Sequence, residues 1–204
     1  MPSVYTDEEI RAILGSIDRS TVQGSRDFAI LMLASSLGIR ASDICEMTLE
    51  AINFVKNELS FIQKKTSVPL TLPLLPDVKE ALLGYLGYRK IDSTDEPIFI
   101  QCRAPYHKLT RMGIWTIMRR YVKQSGVDPG HRKRGTHALR SSLASSMVRE
   151  QVPYYAVQKI LGHESSQSTK NYVRIDIGRL REFTLPVPEA YGRFDAFLKG
   201  GETR

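Results

Sequence analysis

Four separated pieces of this 204-residue chain carry side chains suited to chemistry on a phosphate: Arg40; Lys65, with Lys64 beside it; His137 and Arg140; and His163, followed nine positions later by Tyr172. Attack on a phosphodiester places extra negative charge on two non-bridging oxygens, and preorganised donors at those oxygens are usually the largest catalytic contribution. Arg40 and Arg140 offer planar, permanently charged forks that engage a phosphate bidentately, which a lysine cannot do. A tyrosine hydroxyl titrates near 10, so only about one in a thousand is phenolate at pH 7 and a neighbouring base or positive charge must help it. His137 is the natural candidate for that help. Taken singly, each residue has an ordinary explanation, since an arginine is usually surface, a histidine a satisfied polar group and a tyrosine packing.

The elements that must position these residues follow from periodicity. Thr6 and Glu9 stand at capping-box spacing before Ile10, Ile13, Leu14 and Ile17, which predicts an amphipathic first helix. The segment 26–37 is apolar nearly all round and ends at Gly38, as expected of a buried central helix, and a short helix restarts at Ala41 or Ser42, placing Arg40 at a helix end beside glycine. Two β-like runs, 58–63 and 68–73, flank Lys64, Lys65, Thr66 and Ser67 and predict a hairpin, with Pro69 and Pro73 confining the second run to an edge. Helices are expected over 77–88 and from Thr110, where Ile114, Ile117, Met118, Tyr121 and Val122 mark one face and leave Arg111, Arg119, Arg120 and Lys123 outside it.

A helix through Leu139, Leu143 and Met147 would carry His137 and Arg140 at i, i+3, on one side. A last strong helix opens at Pro153, suited to its first turn, and closes at Gly162, so that His163 also sits at a helix end; Ser165 or Ser166 could cap a further short helix carrying Tyr172. The fold class is mainly α with a small antiparallel β-sheet (α+β), a single domain over 1–185, with a tail from 186 where Pro186 and Pro188 break the pattern. Tyr121 reads as core, and Tyr154 and Tyr155 as helix-opening residues that pack or touch a ligand.

Charge is unevenly spread. The whole chain is at +7, yet residues 1–50 hold four basic and eight acidic side chains, whereas residues 101–150 hold eleven basic and two acidic, a balance of +9. Such concentration suits a polyphosphate partner, and the loop residues Arg132, Lys133 and Arg134 join the α-helical arginines as candidates for contact with it. No run approaches the roughly 20 apolar residues of a membrane span, and residues 1–9 are too acidic for a signal peptide, so a cytoplasmic protein is expected. Cys45 and Cys102 lack any CxxC or Cys/His pairing and read as reduced thiols. The four histidines form no HExxH, His107 and His131 read as loop residues, and no phosphate-binding glycine loop occurs. With arginines supplying the charge and a tyrosine the nucleophile, neither a metal nor a nucleotide cofactor would be required.

Together the stretches Leu37-Gly38-Ile39-Arg40-Ala41-Ser42-Asp43, Lys65-Thr66, Thr136-His137-Ala138-Leu139-Arg140, Leu161-Gly162-His163 and Ser168-Thr169-Lys170-Asn171-Tyr172 resemble the tyrosine recombinase, or phage integrase, family. They occur in the family's order over roughly residues 5–182, nearly its whole catalytic domain. The resemblance implies the tyrosine recombinase catalytic fold, double-stranded DNA as partner, and cleavage and rejoining through a 3′-phosphotyrosyl bond, with Tyr172 as nucleophile. Arg40 and Arg140 would clamp the phosphate, His137 would assist proton transfer, His163 would hydrogen-bond the phosphate, and Lys65, with Lys64 as the alternative, would protonate the leaving oxygen. Asp43 would orient Arg40, unless it is a simple helix-terminus charge.

The resemblance further implies a chain monomeric in solution and tetrameric on DNA, of bacterial or mobile-element origin and nucleoid-associated. The apolar cluster Phe194, Ala196, Phe197 and Leu198 in the tail would dock on a neighbouring protomer or fold back. The helical N-terminal domain common in the family is expected to be absent before Tyr5, which leaves two readings: a catalytic-domain fragment, or a relative of the small members that resemble the catalytic domain alone. Position 141 is serine, and Lys170 stands where small hydroxyl residues are frequent, neither of which removes a catalytic group. A type IB topoisomerase-like activity and a catalytically idle DNA-binding module are the competing readings.

Overall fold

The computed structural model describes residues 4–89, 95–132 and 135–162. Helix α1 (Asp7–Gly15) starts as its capping box requires, with the Glu9 N–H donating to Thr6 Oγ1 and the Thr6 N–H to the Glu9 carboxylate. Helix α2 (Val22–Ser36) is buried on nearly every face and runs through the centre, packed against α1, α4 (Pro76–Leu86), α5 (Arg111–Gln124) and α6 (Thr136–Arg149). Its continuous apolar run therefore has protein on all sides. The chain leaves α2 through Gly38 in the left-handed region (φ +65°), where a side chain would also collide with Leu161 Cδ2 at 2.7 Å. This turn delivers Arg40 to the start of the short helix α3 (Ala41–Glu46).

The sheet has the order β1–β2–β3 and is antiparallel throughout, with β1 (Ile52–Asn53), β2 (Glu58–Ile62) and β3 (Pro69–Pro73). Leu59 pairs with Ile52 on one side and Leu72 on the other, and these inward residues set the register against the core. The hairpin around residues 64–67 is where its sequence places it, and β3 lies at the edge that its prolines demand. Strand β1 is an addition, because two residues are too few for an alternating pattern to be legible.

Helix α5 is capped by Thr110, whose hydroxyl accepts from the Gly113 N–H at 3.1 Å, and buries the expected Ile114, Ile117, Met118, Tyr121 and Val122. Helix α7 (Tyr154–Leu161) starts one residue later than the proline suggested, with Pro153 just outside it and its carbonyl receiving the Val157 N–H. It ends at left-handed Gly162. The main core gathers α1 to α6 and the sheet, while Ala144, Val157 and Leu161 form a smaller cluster joining α6 to α7. Tyr172, His163, Lys133, Arg134 and the tail lie outside the described residues.

Candidate active site

The carboxyl end of α7 is the meeting point. Arg140, in the second turn of α6 and only 3% exposed, donates through Nη1 to the Gly38 carbonyl at 2.5 Å and through Nη2 to the Leu161 carbonyl. Arg40, at the N-cap of α3, donates through Nη2 to the Gly162 carbonyl at 3.3 Å. The two guanidinia thus grip consecutive carbonyls at the negative end of one helix, which favours cations there. Arg40 Nη1 is buried and has no hydrogen-bond partner among the described residues. Burying such a donor unpaired is costly unless something accepts from it, and an anion is the natural acceptor. His137 stands one turn before Arg140 on α6 and is exposed.

The hairpin treats its two lysines differently. Lys64 is engaged twice: its backbone N–H donates to Asp43 Oδ1 at 2.9 Å, and its Nζ pairs with the Glu46 carboxylate. Glu46 also receives Lys108 Nζ at 2.7 Å, and these two lysines hold its carboxyl below the usual glutamate range. Lys65 is exposed at the loop. Lys65, Lys108 and Arg111 line a cleft of about 450 Å³ together with Ser42 and Cys45. Burial pushes the Cys45 thiol up to about 11, which leaves it a protonated packing group rather than a nucleophile.

Asp43 is 4% exposed; its backbone N–H donates to the Arg40 carbonyl at 2.9 Å, but its carboxylate makes no hydrogen bond or ion pair to the Arg40 guanidinium among the described residues. It accepts instead from the Lys64 N–H and the Ser42 hydroxyl, so its carboxylate ties the hairpin to α3. Arg40 is extended at the N-cap and Asp43 sits inside the first turn, where its carboxylate reaches the Lys64 N–H of the hairpin. Sequence reasoning also passed over Gln63, which is 1% exposed beside Gly162, and over Glu46. A polar residue at a strand end carries no local signal of burial.

The basic candidates divide. Arg111, Arg119 and Lys123 are exposed along α5, Arg119 lying over the Trp115 ring at 5.4 Å. Arg120 is tied by one Nη to buried Asp27 at 3.3 Å. Arg132 is absorbed by the protein: it forks onto Glu9 at 2.6 and 2.8 Å, reaches the Val4 carbonyl at 3.2 Å and covers the Tyr5 ring at 4.4 Å. Among the described tyrosines, Tyr121 is disqualified as nucleophile, because burial first and Asp27 second push its hydroxyl up to about 12. No three His, Cys, Asp or Glu residues among the described ones form a group able to hold a metal, and no described helix is long and apolar enough to cross a membrane.

Two arginines converge on the end of one helix of this mainly helical scaffold, and the phage integrase family model matches residues 3–179. The chain belongs to that family. It is 34% identical over 189 residues to the integrase/recombinase y4gC of Sinorhizobium fredii, covering 92% of this chain and 97% of that one. It is 29% identical to tyrosine recombinase XerA of Pyrococcus furiosus, covering 89% of this chain but only 60% of that protein, and it spans about half the length of its longer relatives. Among solved structures, XerA recombinase superposes with a TM-score of 0.73 at 21% identity, over 94% of this chain and 67% of that one. XerH site-specific recombinase, bound to its difH substrate after cleavage, also gives 0.73 at 21% identity, over 89% of this chain and 52% of that one. These likenesses are those of the recombinase catalytic fold.

Proposed function

We propose that the chain is a site-specific DNA recombinase that cleaves and rejoins strands through a covalent 3′-phosphotyrosyl intermediate. The observation that carries this reading is the convergence of Arg40 and Arg140 on the end of α7, one residue before His163. Arg40 and Arg140 would take the non-bridging oxygens of the scissile phosphate, with the unpartnered Arg40 Nη1 as a ready donor. His163 would add a hydrogen bond. Tyr172 Oη would form the new P–O bond while the bond to O5′ breaks, its phenolic proton passing to His137 or water. The departing O5′ is a poor leaving group and would take a proton from Lys65. Lys64 is the weaker candidate, since Asp43 and Glu46 already hold it.

The covalent link keeps the phosphodiester energy, so the reverse attack by a 5′-hydroxyl rejoins DNA without a nucleotide. Residues 1–185 would form the catalytic domain, working on double-stranded DNA of a bacterial chromosome or mobile element, as a tetramer in which the tail from 186 docks on a neighbour. Arg111, Arg119 and Lys123 would follow the DNA backbone, setting salt-dependent affinity without reading sequence. The test is a suicide substrate nicked beside a candidate site. The expected result is a denaturation-resistant protein–DNA adduct that Tyr172→Phe abolishes while binding persists. An adduct that persists in that variant would remove Tyr172 from the role, and plasmid relaxation without recombinant products would favour a topoisomerase. Deleting 187–204 should lower DNA-dependent oligomerisation; unchanged assembly would sink the docking role of the tail.

A further inference from the structure

We infer that Gln63 is a positioning residue that locks the Lys65-bearing loop to the platform holding Arg140, fixing the distance between proton donor and phosphate clamp. This rests on the recombinase reading above. The loop closes on itself at its base, where the Gln63 N–H donates to the Val68 carbonyl at 2.9 Å and the Ser67 N–H to the Gln63 carbonyl at 2.8 Å. Those bonds define the loop's shape but leave its placement against α7 unspecified. The placement comes from the Gln63 side chain, which is 1% exposed. Its Oε1 accepts from the Thr66 hydroxyl at 2.8 Å, inside the loop, and its Nε2 donates to the Leu161 carbonyl at 3.5 Å, across the site. That same carbonyl receives Arg140 Nη2.

One amide therefore joins the residue after Lys65 to the carbonyl that orients an arginine. The fit is close: a Cβ added to Gly162 would come within 2.3 to 2.6 Å of the Gln63 amide atoms, so the glycine before His163 leaves room for this side chain. A glutamine suits the position because it accepts from a hydroxyl and donates to a carbonyl at once, and it does so without a charge that would compete for the arginines. The Lys64 N–H to Asp43 bond provides a second tether, on the α3 side. Lys65 lies between the two anchors, with only its flexible stem free.

The test exploits the leaving group. In a 5′-bridging phosphorothiolate, the bond that breaks is P–S, and the thiolate departs without a proton because a thiol titrates near 8.5, so loss of the general acid becomes silent. Adduct formation would be timed with oxygen and sulfur substrates for the parent protein, Lys65→Ala, Gln63→Met and Thr66→Val, with DNA affinity and melting recorded for each. Gln63→Met is expected to slow oxygen cleavage by about 10²-fold, the scale of a misplaced catalytic group, and to recover to within about threefold of the parent on sulfur, as Lys65→Ala does. Thr66→Val, which removes only the hydroxyl donor to Oε1, should follow with a smaller loss, and it decides the matter alone if Gln63→Met does not fold. Equal slowing on both substrates, or no slowing on oxygen, would overturn the inference. Failure of sulfur to rescue Lys65→Ala would remove Lys65 as proton donor, and Gln63's role with it. A parent protein that forms no adduct on either substrate would instead overturn the recombinase reading.

Discussion

Two groups of arginines are positioned by opposite means. Arg26, Arg120 and Arg132 are held by carboxylates: Arg26 by Asp27 at 2.6 Å, Arg120 by the same Asp27, and Arg132 by Glu9. Arg40 and Arg140 donate to the main-chain carbonyls of Gly38, Leu161 and Gly162. A carboxylate fixes a guanidinium and cancels its charge, whereas a carbonyl fixes it and leaves the charge in place. Positive charge meant for a ligand is therefore best held by neutral acceptors at the end of a helix. The comparison also gives a reason for Asp43 to be spent on the hairpin rather than on Arg40, where it would have competed with a phosphate.

The largest expected effect tests the carboxylate-held group. Asp27→Ala would leave Nε and Nη2 of the buried Arg26 guanidinium and the Tyr121 hydroxyl without their acceptor, and should cost about 3–5 kcal/mol in denaturant unfolding. A loss under about 1 kcal/mol would mean that Asp27 is not the anchor of this region. Next, Arg40→Ala should reduce the rate of adduct formation by about 10²–10³-fold while leaving the melting temperature nearly unchanged. Arg140→Ala should show the same kinetic loss together with reduced stability, since that side chain is buried. If Arg120→Ala slowed cleavage as much as Arg40→Ala, the division between the two groups would collapse.

Smaller effects sharpen the division on the surface. Arg119→Ala should lower the slope of log affinity against log salt by about 1 without altering stability, as expected for a phosphate contact. Arg132→Ala should do the reverse, costing about 1–2 kcal/mol of stability with little change in slope, because Arg132 is committed to Glu9 and Val4. The smallest effect is on pH. The Arg132 hydrogen bonds hold the Glu9 carboxyl below its unfolded value of 4.5. A carboxyl lowered in this way adds stability above the unfolded value and loses it as pH falls through the folded one. Glu9→Gln should thus be less stable than the parent by about 1 kcal/mol or less near neutrality, and the gap should close in melting curves taken progressively below pH 4.5. A gap that widened on acidification would contradict the sign.

Much of this was legible in the sequence because it depends on local rules. The capping box at Thr6 and Glu9, the all-round apolar α2, the prolines of β3 and the glycines closing α2 and α7 each specify their own element. The pairing of His137 with Arg140 follows from helical spacing alone. Strand β1 and the burial of Gln63 were not legible, because both arise from packing between segments far apart in sequence. The fate of the basic residues was hidden for the same reason: Arg120 and Arg132 look like Arg119 until Asp27 and Glu9 are brought against them. Asp43 shows the limit most clearly, since its position near Arg40 in sequence says nothing of which way its carboxylate turns.

The central claim is that Tyr172 becomes linked to DNA through a 3′-phosphate. The most direct measurement is to trap the adduct on a suicide substrate, digest protein and DNA, and sequence the nucleotide-bearing peptide by mass spectrometry. The expected peptide spans residues 171–174 with a phosphodiester on Tyr172, and the released strand carries a free 5′-hydroxyl. Attachment at Tyr154 or Tyr155, or a 5′-phosphate on the protein, would contradict it.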